Sequence, residues 1–280
     1  MWEGKKIGAI VQARMSSSRL PGKVLMPLPP LDGNPALWHT LSRLGHVSAL
    51  DTVIVATSAD ASDNPLVQAS ESWGFPVVRG SLSDVLGRFH KAANEHDLDY
   101  IIRVTGDCPA LDPALVQELI EGHFEEQADF SSLGIERTYP IGMDAAIFSR
   151  AMLEEANIHA QSAYQREHVT PYFRTQPDKF KIRVQRASKS QYAPTLRFTL
   201  DTPEDYHFLS AIFDALGPEF DLLEALDLLR RKPWIQKLNE GTHQKKGFDT
   251  ETEELQAALQ FCLTQDLHRA AERIRAWLNP

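Results

Sequence analysis

Between residues 7 and 124 the chain repeats one short unit: an apolar, β-rich run, a polar turn, then residues with apolar positions at helical spacing. The runs are Ile7–Val11, Thr52–Ala56, Phe75–Val78 and Tyr100–Val104. The helical stretches are Ala36–Leu44, Pro65–Trp73, about Val85–Ala93 and Pro113–Phe124. A strand that is apolar at successive positions has no face to offer water, so both its faces must be covered. Alternation of such strands with helices predicts a mostly parallel sheet with helices on both sides.

Beyond residue 129 the pattern loosens. Asp129–Leu133, Ala145–Phe148, Phe180–Gln185 and Arg197–Leu200 read as strands of a more mixed sheet. Ala151–Ala156, Glu167–Phe173, Pro203–Leu216 and Leu222–Leu229 read as helices. A polar break, N-E-G-T-H-Q-K-K-G, precedes two amphipathic stretches at Glu251–Leu263 and Leu267–Leu278. The expected division is a domain over 1–240 and a helical appendage over 241–280, either a partner surface or a solvated cap.

At 280 residues the chain can bury a sizeable core. A net charge of −9 argues against a general nucleic-acid surface but leaves room for a local basic pocket. Cys108 and Cys262 are too few for a disulfide framework. The start, M-W-E-G-K-K, is too charged for a signal peptide, and no apolar run reaches membrane-spanning length. A cytoplasmic setting is expected, without a nucleic-acid or membrane partner.

The first run ends in Q-A-R-M-S-S-S-R-L-P-G-K, residues 12–23. In open α/β sheets ligands bind beyond the carboxyl ends of the strands, and this loop leaves at that edge. Small residues let backbone N–H groups approach phosphate oxygens, while Arg14, Arg19 and Lys23 supply charge. Val24 after Gly22-Lys23 rules out the usual P-loop pattern, and no G-x-G-x-x-G occurs there. A solvated basic loop is the plain alternative.

The loop resembles the A-R-x-x-S-x-R-L-P-G-K segment of the cytidylyltransferases that activate sugars, which include the CMP-Kdo and CMP-sialic acid synthetases. The nearest branch is the one named for spore coat polysaccharide biosynthesis. The resemblance continues in order through D-T-V-I-V-A-T-S (51–58), R-G-S-L-S-D-V-L-G-R (79–88), R-V-T-G-D-C-P (103–109), R-E-H-V-T-P-Y (166–172) and T-L-D-T-P-E-D-Y (199–206). It ends near Phe213. It implies a Rossmann-like three-layer α/β/α sandwich of the nucleotide-diphospho-sugar transferase (GT-A-like) type, with a mixed, mostly parallel sheet. It also implies Mg²⁺-dependent transfer of a cytidylyl group from CTP to the hydroxyl of an acidic or other sugar, for surface polysaccharide, by a homodimer joined through about 135–195.

By the resemblance, Arg14 and Lys23 contact phosphate, supported by Ala13, Ser18 and Arg19, and Asp107 and Asp201 hold the metal. Asp107 ends a predicted strand, where a carboxylate can hold Mg²⁺ without burying an unpaired charge. Its alternative is a turn aspartate capping the next helix, although Asp112 fits that cap better. Asp201-Thr202-Pro203-Glu204 also reads as a helix start, so Asp201 has a capping alternative. The segment with Arg79, Asp84 and Arg88 would border the base and ribose; Asp84 and Arg88 also suit an i,i+4 ion pair. Arg103 either meets the nucleotide or anchors its strand.

Sugar choice falls to Asp144, Arg166 and His168, since arginine suits a carboxylated sugar; knitting a helix end is the alternative for 166–168. Relatives read G-x-D-x-E-x-F where this chain has G-M-D-A-A-I-F, so Ala146 stands in place of a glutamate. The ten histidines form no H-x-x-x-H or H-E-x-x-H pattern, which argues against zinc. Two rival readings remain. A glycosyltransferase of this fold would need an Asp-x-Asp motif that G-D-C-P lacks, and a non-catalytic nucleotide-binding homologue would fit Ala146.

Overall fold

A computed structural model describes residues 2, 4–242 and 251–278. The chain starts with β1 (Ile7–Gln12), a small hairpin of β2 (Pro27–Leu28) and β3 (Asn34–Pro35), and α1 (Ala36–Gly45). Next come β4 (Thr52–Ser58), α2 (Asn64–Ser72), β5 (Val77–Gly80), α3 (Val85–Glu95), β6 (Tyr100–Thr105) and α4 (Pro113–Glu125). The second half holds β7 (Phe130–Ser132), β8 (Ala145–Ser149), α5 (Arg150–His159), α6 (Ala163–His168), α7 (Pro171–Arg174), β9 (Ile182–Val184), α8 (Pro203–Leu216) and α9 (Leu222–Arg231). The helices α10 (Glu251–Thr264) and α11 (His268–Leu278) follow.

Seven strands form one sheet in the order β5-β4-β1-β6-β8-β7-β9, with β8 alone running antiparallel to its neighbours. The apolar runs explain the layering. Along β1, Ile7, Ala9 and Val11 enter a core shared with α1, α4, α8 and α9, while Ile10 enters the opposite core with α3, α5 and α7. Both faces are therefore covered, and the three-layer sandwich expected from the sequence is present. The central position of β1 carries its following loop to the middle of the sheet's carboxyl edge.

Two expected elements change. Glu167–Phe173 is not one helix: α6 ends at His168, Val169 takes φ 66°, and Pro171 restarts the chain as α7. Proline cannot donate to the helical ladder, and a β-branched residue at positive φ costs about 1–3 kcal/mol. Arg197–Leu200 is buried and extended but is not a sheet strand. Arg197 makes one bridge to Ile141, and Leu200 N–H donates to the Asp107 carbonyl at 2.8 Å. This segment crosses the end of the sheet and ties loops together.

Asp112 caps α4, accepting from Ala114 N–H at 2.9 Å. The expected polar break at 239–247 lies largely outside the described residues. Among the described residues, no helix is long and apolar enough to cross a membrane.

Candidate active site

The loop after β1 forms one wall of a cavity of about 750 Å³ at the carboxyl edge of the sheet. Ala13, Arg14, Ser18, Arg19 and Lys23 all line it. The loop is held from below by Asp63, a buried residue that the sequence reading did not single out. Asp63 Oδ1 accepts from Met15 N–H at 2.7 Å, and its Oδ2 accepts from the Thr57 hydroxyl at 3.0 Å and from Ser58. Burial opposes a charge here, but the donors of Ser58, Met15 and Thr57 outweigh it and hold the carboxyl below its ordinary range. Gly106 serves the same wall: a Cβ on it would stand 2.8 Å from Ala13 Cβ and 3.2 Å from the Gln12 carbonyl. The space that Gly106 leaves is thus taken by the loop itself.

Opposite the loop stand Asp107, just past β6, and Asp201, just before α8. Lys23 Nζ lies 2.7 Å from Asp107 Oδ2 and 2.8 Å from Asp201 Oδ1. Arg19 Nη2 reaches Asp201 Oδ2 at 2.9 Å, and Arg197 stands 3.6 Å from the same oxygen. Burial by itself would lower the Lys23 pKa, yet Asp107 and Asp201 together raise it above the ordinary lysine value. Burial likewise opposes the Asp107 charge, and Lys23 overrides it, so the carboxyl titrates below its usual range. The helix-cap alternative for Asp201 fails: Thr202 caps α8, accepting from Asp205 N–H at 3.3 Å. Asp201 is left to face the cations.

The far wall belongs to the second half of the chain. Sheet register puts Arg103, Ala146 and Ser132 in one row on the same face, and all three line the cavity. Arg103 Nη2 donates to Gln12 Oε1 at 3.1 Å, while its Nε is buried with no hydrogen-bond partner. Burial lowers the pKa of this guanidinium, with the charge of Asp144 opposing. Asp144 pairs with Arg137 at 2.8 Å and accepts from Gly142 N–H at 3.0 Å. His168 packs on Tyr164, ring centroids 4.6 Å apart, and Arg174 donates to the Tyr164 hydroxyl at 2.8 Å.

Three residues read from the sequence as site residues lie off the cavity wall. Arg79 donates to the Ser58 and Asp60 carbonyls and to Asn64 Oδ1, tying β5 to the turn before α2. Asp84 caps α3 through Gly87 N–H and binds Arg166 by two bonds of 2.9 Å each. The i,i+4 pair of Asp84 with Arg88 is absent. Arg88 instead turns inward, donates to the carbonyls of Ser81 and Leu82, and lines the cavity. The sequence reading missed Arg137, Tyr164 and Arg174 on the far wall, and Glu254 of α10 at the rim. None belongs to a local pattern; each arrives by chain crossing.

Comparison with known proteins identifies the family. The family model described as cytidylyltransferase matches residues 8–252. The spore coat polysaccharide biosynthesis protein SpsF of Bacillus subtilis is 35% identical over 232 residues, 80% of this chain and 94% of that protein. The 8-amino-3,8-dideoxy-manno-octulosonate cytidylyltransferase of Shewanella frigidimarina is 29% identical over 175 residues, 60% of this chain and 64% of that one. A solved cytidylyltransferase from Leptospira borgpetersenii superposes with a TM-score of 0.79 at 29% identity, covering 86% of this chain and all of that one. The match takes in the loop wall, both aspartates and the far wall alike, and the chain therefore belongs to the cytidylyltransferases, enzymes that transfer a nucleotidyl group.

Proposed function

We propose that this enzyme transfers the cytidylyl group of CTP to a hydroxyl of an acidic sugar, giving a CMP-sugar and pyrophosphate for surface polysaccharide. The observation that carries the reading is the convergence of Asp107 and Asp201 on one cationic centre, Lys23 Nζ, beside a loop lined with arginine and serine. Phosphoryl-type transfer depends on positioning and charge neutralisation more than on covalent chemistry. Arg14, Arg19 and Lys23 hold the phosphates, with Ser18 and the Ala13 backbone beside them.

The residues present fit Mg²⁺. Two hard carboxylates, Asp107 and Asp201, converge on one point, the position of Lys23 Nζ. Mg²⁺ commonly takes one or two carboxylates and completes its shell with substrate phosphates and water. When bound, it supplies charge stabilisation and lowers the pKa of a coordinated hydroxyl.

The acceptor is assigned to the far wall, with Asp144 and His168 reading hydroxyls. Arg166 is engaged by Asp84, so the cations available to a sugar carboxylate there are Arg103 and Arg174. The names of the Bacillus and Shewanella relatives support polysaccharide synthesis and an acidic sugar. A cytoplasmic setting fits two free, buried cysteines. A homodimer through 135–195 is part of the proposal, and a monomeric mass by light scattering at micromolar concentration would overturn that part.

The deciding experiment screens octulosonic, nonulosonic and neutral sugars with CTP, UTP and GTP while measuring pyrophosphate. Release from CTP with one acidic sugar is expected. Preference for UTP or GTP would overturn the assignment of the base. Tight CTP binding without turnover across the panel would favour a non-catalytic homologue.

A further inference from the structure

Lys23 holds the same carboxylate oxygens that the proposed function gives to the metal. Its Nζ lies 2.7 Å from Asp107 Oδ2 and 2.8 Å from Asp201 Oδ1, and the residue is 8% exposed. A Mg²⁺ ion shared by these two oxygens would sit about 2.0–2.1 Å from each. Both cations would draw on the same two oxygens, so Lys23 and the metal compete for them. The surroundings strengthen the competition. Arg19 and Arg197 already face Asp201, and a divalent ion therefore approaches carboxylates whose charge is largely compensated.

We infer that Lys23 is a positioning residue that competes with the divalent cation for Asp107 and Asp201, and that the nucleotide relieves this competition. The inference rests on the metal assignment made above. Lys23 opens a single turn of 3-10 helix, Lys23–Leu25, at the end of the loop. Its flexible four-carbon stem and rotatable donors let the ammonium leave the carboxylates for nearby phosphate oxygens. Phosphate drawing Lys23 away frees the carboxylate oxygens for the metal. By linkage, metal bound there favours Lys23 on phosphate, so the two ligands enter cooperatively. The free protein then binds divalent cations weakly, which protects the site from capture by metal alone.

The test is Mn²⁺ binding to nucleotide-free protein, followed by the electron paramagnetic resonance signal of free Mn²⁺. Lys23→Met should bind Mn²⁺ at least about tenfold more tightly than wild type, within the roughly 5–150-fold range usual for coupled sites. Lys23→Arg should stay near wild type, because a cation remains. Arg14→Met removes an equal charge from the same loop without freeing either carboxylate, and its gain should be much smaller. Adding Asp107→Asn to Lys23→Met should abolish the gain.

If Lys23→Met folds poorly, Lys23→Gln serves, and Mn²⁺ should raise the melting temperature of either more than that of wild type. Equal Mn²⁺ affinity in wild type and Lys23→Met would overturn the inference. So would a gain in Arg14→Met as large as that in Lys23→Met, or an absence of Mn²⁺ binding in every variant. Each of these outcomes is read without turnover. Failure of the CTP and sugar screen would instead count against the proposed function.

Discussion

The two walls of the cavity are built in opposite ways. The loop wall is one stretch of chain, residues 12–23, set at the end of a central strand and held by Asp63. The far wall is assembled from β6, β7, β8, α6, α7 and the 134–144 loop. The difference suits what the proposed function asks each wall to recognise. A triphosphate presents repeated charge, which one flexible loop of cations and small residues can follow. A sugar presents hydroxyls at fixed angles, and meeting them requires groups held by several rigid elements. Local sequence therefore reports the first wall well and the second poorly.

The largest expected effect tests the junction of the walls. Asp107→Asn keeps size and one oxygen but removes charge, so turnover should fall at least about 10³-fold. CTP binding should change far less, since Arg14 and the loop backbone remain. Pyrophosphate release, CTP calorimetry and thermal melting on the same samples separate these effects. Near-normal turnover at saturating Mg²⁺ would remove Asp107 from the chemistry, and loss through unfolding would make it structural.

A pH experiment asks whether the far wall has its own point of weakness. His123, on α4, is buried behind this wall with Nδ1 2.9 Å from the Ser131 hydroxyl, next to cavity-lining Ser132. Burial, helped by the Arg183 charge, lowers its pKa from 6.5 to about 4. In the unfolded chain it takes up a proton below about 6.5, whereas the folded protein resists until about pH 4. Stability should therefore fall between those values and level off below them, by about 3 kcal/mol from this group. Urea unfolding of wild type and His123→Gln at pH 7 and pH 4.5 should show a shallower loss in the variant. Identical losses would mean that other groups set the acid limit.

The smallest effect sharpens the contrast most. Asp144→Asn should raise the acceptor KM roughly tenfold, the cost of one charge-assisted hydrogen bond, while leaving the CTP KM within about twofold. Steady-state kinetics with each substrate varied in turn makes the check. A parallel rise in both constants would show that the walls act as one surface.

How far the sequence could be read follows the same division. Thr52–Ala56 and Tyr100–Val104 announced themselves because a strand buried on both faces must be apolar throughout. Asp84 and Arg88 looked like a pair because they are one helical turn apart. The stronger partner of Asp84, Arg166, is 82 residues away and could not be found by spacing. Val169 hid inside a helical pattern, since its positive φ is imposed by the turn into Pro171 and not by its own preference.

By itself, the sequence determined the alternation of strands and helices, the cationic loop at the end of the first strand and the two aspartates after later apolar runs. These features are periodic or contiguous, so the forces behind them act between near neighbours along the chain. Tertiary structure alone decided that Asp63 anchors the loop from 48 residues away and that Arg79, Asp84 and Arg166 turn from the cavity while Arg137 and Arg174 turn toward it. It also decided that Lys23, 84 residues from Asp107 and 178 from Asp201, stands between both. A buried charge must find its partner wherever the fold brings one, and no periodicity along the chain records that choice.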